Sequence, residues 1–202
     1  MDVIDEQQRR AADKAPAHYS YKPSLMAGAY RFDVTEAGLA WQQGARSGLW
    51  RYRDIVEVRL SFRPVWLQSR RYRADIRHSS GARIPVLSTT WQTAALVAAQ
   101  DDAYRDFIVA LHQRLTEGQT RLRAGVPQLA YATGLVLLAL LAIAMAGLLT
   151  RAVAVGEYPG ALFIIGFALL FAWQLGGFMR RNRPRPYALE RLPRSVLPAP
   201  PA

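Results

Sequence analysis

Two stretches of this chain contain no charged residue, Val126 to Thr150 and Tyr158 to Met179, twenty-five and twenty-two residues long. A helix needs about 20 residues at ~1.5 Å each to cross the ~30 Å of hydrocarbon in a bilayer, so either stretch is long enough to span one. Earlier windows are interrupted by Arg or Asp, and a mean hydropathy of -0.02 therefore averages two unlike halves. Burial inside a soluble core is the competing explanation. It fails on size, because two adjacent runs of this length leave too little chain to surround them.

Charge supplies the orientation. Residues 1 to 125 carry 19 Arg/Lys against 13 Asp/Glu, the connection Arg151 to Glu157 carries one of each, and the tail from Arg180 carries 6 against 1. The excess of basic residues flanking both runs, with Arg121 and Arg123 before the first and Arg180, Arg181, Arg183 and Arg185 after the second, predicts that both termini face the cytoplasm. The first twenty residues contain no apolar signal-peptide core, so the N-terminal region is expected to remain in the cytosol, and a bacterial inner membrane is the expected location. The chain has no Cys. Disulfides, thiolate nucleophiles and Cys-based metal sites are thereby excluded.

Before the apolar runs the periodicity is two. Tyr30, Phe32 and Val34 alternate with Arg31, Asp33 and Thr35; Val56, Val58, Leu60 and Phe62 alternate with Glu57, Arg59 and Ser61; Tyr72, Ala74 and Ile76 alternate with Arg73, Asp75 and Arg77. Such alternation reads as half-buried antiparallel strands, separated here by Gly- and Pro-bearing turns. After Trp91 the spacing becomes three and four, through Tyr104, Phe107, Ile108, Leu111 and Leu115, which predicts an amphipathic helix capped by Asp101 or Asp102 and ended at Gly118.

The segments Phe32-Asp-Val-Thr-Glu-Ala-Gly-Leu-Ala-Trp-Gln-Gln-Gly44 and Tyr52-Arg-Asp-Ile-Val-Glu-Val-Arg-Leu-Ser-Phe-Arg-Pro64 resemble uncharacterised proteobacterial inner-membrane proteins that join an N-terminal bacterial pleckstrin-homology-like (PH-like) domain to two C-terminal transmembrane helices. The resemblance covers most of the chain and marks turns and core positions rather than chemistry. It implies an α+β fold, a small antiparallel β-barrel capped by a C-terminal amphipathic helix and followed by a transmembrane hairpin. Six strands are legible, and a seventh would have to lie in Val65 to Gln68. The expected organisation is a flexible arm over 1–28, a PH-like domain over 29–118, a linker over 119–125, a first span over 126–150, an external loop over 151–157, a second span over 158–179 and a basic, Pro-rich cytoplasmic tail over 180–202.

Little in the chain points to catalysis. His18, His78 and His112 lack metal-ligand spacing, Asp75, His78, Ser79 and Ser80 lie in one strand and turn that does not make them converge, and Gly44 and Gly48 match no phosphate-binding loop. No enzyme activity, cofactor or metal is therefore expected. What exceeds background is arginine: ten between Arg46 and Arg83, against Asp54, Glu57 and Asp75. These either fill solvated strand positions or attract anionic head groups. Arg63, Trp66, Leu67, Arg70 and Arg71 form the candidate lipid or partner surface, joining apolar side chains to basic ones. Nucleic acid is a poor fit, because no recognised motif accompanies the charge. Within the second span, Ala168, Ala172 and Gly176 offer a small-residue face for packing against Ala142 and Ala146, and Gln174 is expected to bond between helices.

The expected function is a membrane-anchored, non-enzymatic binding or adaptor module that presents its domain to the membrane surface or to a protein partner. The alternative is a structural subunit of an inner-membrane complex or homo-oligomer, assembled through the hairpin. Reporter fusions after Gly118 and after Pro186 are expected to report the cytoplasm, and one within Ala154 to Glu157 the opposite side. A reporter placing the N-terminal domain outside overturns this arrangement.

Overall fold

The computed structural model describes residues 17–63, 70–93, 96–116 and 118–199. The chain forms two units, one from residues 1–123 together with 187–202 and the other from 124–186.

In the first unit, β1 (His18–Tyr21), β2 (Tyr30–Val34), β3 (Leu39–Gln43) and β4 (Arg46–Trp50) make an antiparallel meander in sequence order. Its register places Phe32 opposite Tyr19 on one side and Trp41 on the other. A turn at Thr35 to Gly38 joins β2 to β3. There the Gly38 backbone has a φ of 152°, and a Cβ would lie 2.3 Å from the Trp50 carbonyl oxygen, so only glycine fits. After a 3-10 turn at Tyr52–Asp54, β5 (Ile55–Phe62), β6 (Tyr72–His78) and β7 (Arg83–Leu87) form a second antiparallel sheet. β8 (Thr89–Trp91) and β9 (Val97–Ala99) make a small ladder, α1 (Asp101–Arg114) follows, and β10 (Arg121–Ala124) pairs with the free edge of β5.

The alternation expected from sequence is realised in β6 and from Val58 onward in β5, where Val58 faces Ile76, Leu60 faces Ala74 and all four are buried; at the start of β5 a bulge between Ile55 and Glu57 breaks it, burying Ile55 and Glu57 and leaving Val56 half-buried, and Ser61 is buried as well. α1 lays Tyr104, Phe107, Ile108 and Leu111 into the core. The Phe107 ring lies 5.6 Å from both Tyr19 and Phe32, which ties α1 to the first sheet. An α+β unit with antiparallel sheets is thus observed. Among the described residues the ladders form separate sheets, and closure into a barrel is not shown. Other bonds link them: the Tyr19 and Tyr21 hydroxyls of β1 donate to the Leu87 and Pro85 carbonyls of β7, and the Trp91 N–H of β8 donates to the Lys22 carbonyl just after β1 at 3.1 Å.

Three expectations change in this unit. The stretch read as an arm contains β1, whose alternation of His18 and Ser20 with the buried Tyr19 and Tyr21 is short and flanked by Pro and Lys. The stretch read as a linker contains β10, because Arg121 to Ala124 completes the edge of β5. The helix N-cap is Gln100, which makes no side-chain cap bond; Asp101 lies inside the first turn, where burial raises its carboxyl above the ordinary value against the opposing hydrogen bond of Ser88. The expected strand at Val65 to Gln68 lies outside the described residues.

The tail also changes its role. Tyr187 donates its backbone N–H to the Leu122 carbonyl (3.3 Å), and Val196 and Leu197 are buried at 0% and 2% exposure. Arg105 of α1 donates to the Pro198 carbonyl at 2.7 Å. From residue 187 on, the segment expected to be a basic, Pro-rich tail is therefore part of the domain unit.

The second unit is a helical hairpin of α2 (Gln128–Ala154) and α3 (Tyr158–Arg181), 27 and 24 residues long. At ~1.5 Å per residue these measure about 40 and 36 Å, and both are long and apolar enough to cross a bilayer. Against the expected first span of 126–150, the helix starts two residues later and ends four later, at Ala154, which shortens the connection. At the open end of the hairpin the Val126 N–H donates to the Asn182 carbonyl (3.1 Å), and Gly125 approaches so closely that a Cβ would lie 2.3 Å from the same oxygen.

Phe107 is 1% exposed at the junction of helix and sheet. Replacing it with Ala is expected to cost about 3–5 kcal/mol. A thermal melt of the detergent-solubilised protein that barely moves would show that α1 is not docked there.

Candidate functional site

The candidate surface lies where β5 ends and β6 begins. Arg63 donates its backbone N–H to the Arg71 carbonyl at 2.8 Å, so the two strands remain paired at the base of this connection. Arg63 and Arg70 are exposed. Arg71 is half-buried and differs from them: its Nε donates to the Thr89 hydroxyl at 2.9 Å, and burial, with the neighbouring Arg73 charge, lowers its guanidinium from the ordinary value. Trp66 and Leu67 lie outside the described residues. Of the proposed set, the structure brings Arg63 and Arg71 together across the strand pair, leaves Arg70 beside them, and assigns Arg71 a structural bond.

The other strand arginines separate by partner. Register places Glu57 opposite Arg77, Arg59 opposite Asp75 and Ser61 opposite Arg73. Within β5, Arg59 donates to Glu57 through Nη2 (2.7 Å) and Nε (3.1 Å); within β6, Arg73 holds Asp75 through Nη2 (2.6 Å) and Nε. Arg77 approaches Glu57 at 4.0 Å. Opposite charges thus alternate along and across the strands. Burial acts to raise the Glu57 carboxyl, but the hydrogen bond and charge of Arg59, supported by Arg121 and Arg123, outweigh it and hold the group below the ordinary value. Arg59, Arg73 and Arg77 belong to this ladder and are not a ligand surface.

Each histidine has a local role. His18 bonds Asp33 at 2.8 Å on the surface, and His78 bonds the Ser80 hydroxyl at 2.9 Å while its ring lies 5.0 Å from Trp50. His112 differs from the other two in its burial. It is buried at 4%, with Nδ1 2.7 Å from the Ile108 carbonyl and Nε2 2.9 Å from the Tyr187 hydroxyl. The carbonyl requires Nδ1 to carry the proton, leaving Nε2 to accept from Tyr187 in a neutral ring. Among the described residues, no group of three His, Cys, Asp or Glu side chains is arranged to hold a metal.

Within this hairpin the contact seam follows other residues than most of the small-residue face. Half-buried positions of α3 recur at Ile164, Ala168, Phe171, Leu175 and Phe178, and those of α2 at Tyr131, Gly134, Leu138, Met145 and Leu149. Ala168 is on that seam, whereas Ala172, Gly176, Ala142 and Ala146 are exposed, and a Cβ added at Gly176 would meet nothing within 4 Å. A repeat of four residues advances about 40° per step round a helix of ~3.6 residues per turn, so it leaves a seam that alternating threes and fours follow. Gln174 is exposed and does not bond between the helices of this hairpin.

Sequence reasoning missed Tyr187, Val196 and Leu197. The one available signal was an apolar pair framed by Pro193 and Pro198 in an otherwise polar tail. No protein-family model matches this chain, and neither curated proteins nor solved structures give a match.

Burial lowers the His112 ring below its ordinary value of 6.5, against the opposing bond to Ile108. The unfolded chain then binds a proton that the folded chain resists, so His112 contributes stability above about pH 6.5 that is lost as pH falls toward the depressed folded value. The melting temperature is expected to drop between about pH 7 and 5 in the parent and less in His112→Gln. Identical pH profiles would show that the ring is not held neutral between α1 and the tail.

Proposed function

We propose that this protein is a membrane-spanning, non-enzymatic binding module whose α+β domain, of PH-like type, lies at the cytoplasmic face of a bacterial inner membrane. There it offers a basic surface to anionic head groups or to a protein partner. The observation that carries this reading is the return of the tail: residues on both sides of the helical hairpin belong to one folded unit. A chain that crosses a bilayer twice brings both flanks to the same side, and here both flanks fold together. The flanks are also the basic segments, Arg121 and Arg123 before and Arg180 to Arg185 after, as a cytoplasmic placement requires.

Exposed Arg63 and Arg70 supply the surface. Beside anionic head groups each basic side chain contributes about 1 kcal/mol. Gln174 favours the second reading, a subunit assembled through the hairpin. Its amide is exposed on a helix apolar enough to be surrounded by lipid, and a partner helix would satisfy it. In that case the helices, and not the domain, decide what co-purifies.

The Tyr187–Leu122 pairing allows a test on the domain alone, because residues 17–123 can be joined to 187–199 by a short Gly/Ser linker in place of the hairpin. This fragment is expected to bind anionic vesicles better than neutral ones, and less so as salt rises. Arg63→Gln with Arg70→Gln should remove about 2 kcal/mol, roughly thirtyfold in affinity, whereas Arg71→Gln should act mainly on stability. Equal binding to both vesicle types would leave a protein partner as the better explanation.

A further inference from the structure

The seam between α2 and α3 is not filled along its whole length. Toward the end that carries the basic flanks, Gly134, Leu138 and Leu141 of α2 and Leu175, Phe178 and Met179 of α3 line an open groove of about 280 Å³. Its cause is local. Gly134 occupies a seam position without a side chain, and a Cβ there would meet only the Met179 thioether, at 3.5 Å. Pockets that enclose a small ligand measure about 300–1,000 Å³, so this open groove takes a segment of one chain and not a whole molecule.

We propose that the groove seats one acyl chain of an anionic glycerophospholipid, with the phosphate held by Arg180 and Arg183. The inference rests on the membrane-spanning reading of the hairpin. Two features select this occupant. The walls are apolar side chains on helices suited to hydrocarbon, so the filling group is hydrocarbon too. The groove reaches Met179, and the chain continues directly into Arg180 and Arg181 in the last turn of α3, with Arg183 exposed just beyond. Between residues 124 and 186 the one carboxylate is Glu157, at the opposite end of the hairpin, so within this unit the charged residues that follow the groove are all basic. A phosphate is met there by guanidinium groups suited to it, and a zwitterionic head group gains less from them.

Gly134→Leu tests the groove, because a Cβ is tolerated at ordinary contact distance and leucine favours a helix, so folding is retained while the side chain occupies the groove. Arg180→Gln with Arg183→Gln tests the head group and leaves Arg121, Arg123, Arg181 and Arg185 to preserve orientation. Full-length protein in mild detergent, titrated with phosphatidylglycerol or phosphatidylcholine and read by native mass spectrometry, is expected to retain one phosphatidylglycerol in preference. Gly134→Leu should weaken retention of either lipid by about tenfold or more, the equivalent of about two buried methylenes, and the double arginine variant should abolish the preference. Retention by Gly134→Leu equal to the parent, or equal retention of both lipids by the parent, overturns the proposal. Recovery of the parent in the aqueous phase without detergent overturns the membrane reading instead.

Discussion

The backbone bond from Tyr187 to the Leu122 carbonyl joins the chain on either side of the helical hairpin. Around it cluster the contacts that make the tail part of the domain: Tyr187 on His112, Val196 and Leu197 in the core, and Arg105 on the Pro198 carbonyl. The unit is thus assembled from two separated stretches of chain, with β10 supplying the edge against which the returning tail pairs.

This arrangement explains why His112 is buried. An imidazole on the inner face of α1 needs an acceptor for one nitrogen and a donor for the other; Ile108 one turn earlier supplies the first, and the second comes from a residue seventy-five positions away. The Tyr187 hydroxyl, also buried and raised above its ordinary value by that burial, satisfies the ring without introducing charge. Losing the tail would leave an imidazole nitrogen facing an apolar gap.

Legibility followed periodicity. The two spans, the β5–β6 alternation and the apolar face of α1 were readable because each repeats a spacing over many residues, and tertiary packing reinforces that spacing. β1 offered only His18 to Tyr21, too short a pattern to stand out beside Pro16, Lys22 and Pro23. The tail offered two apolar residues among prolines, with no periodicity, because its docking depends on a surface assembled from α1 and β10. The stripe at Ala168, Ala172 and Gly176 was visible, but only Ala168 lies on the seam of this hairpin, since residues at a spacing of four spiral off the contact line. At the candidate surface, the arginine excess was legible, but its division between ladder and solvent was not. That division depends on which strand lies opposite which, and register is set by packing across the sheet.

The preference for arginine over lysine, 24 to 2, has a partial cause in this register. Arg59 and Arg73 each direct Nε and a terminal nitrogen at one carboxylate on a half-buried sheet face. A lysine ammonium is a point donor and cannot reproduce that fork; it would leave carboxylate oxygens incompletely bonded where water is scarce. Structural demand therefore accounts for arginine at these positions and, through the Thr89 bond, at Arg71. It does not extend to Arg63 and Arg70, which are exposed at the far end of the same strands. Partial burial and fixed carboxylates make the first group poor ligands for anything else. Exposure leaves the second group able to turn the same fork toward phosphate oxygens, although the Arg70 charge also acts on the Asp101 carboxyl, so any anion met here would meet this small outward subset and not the net charge of the domain.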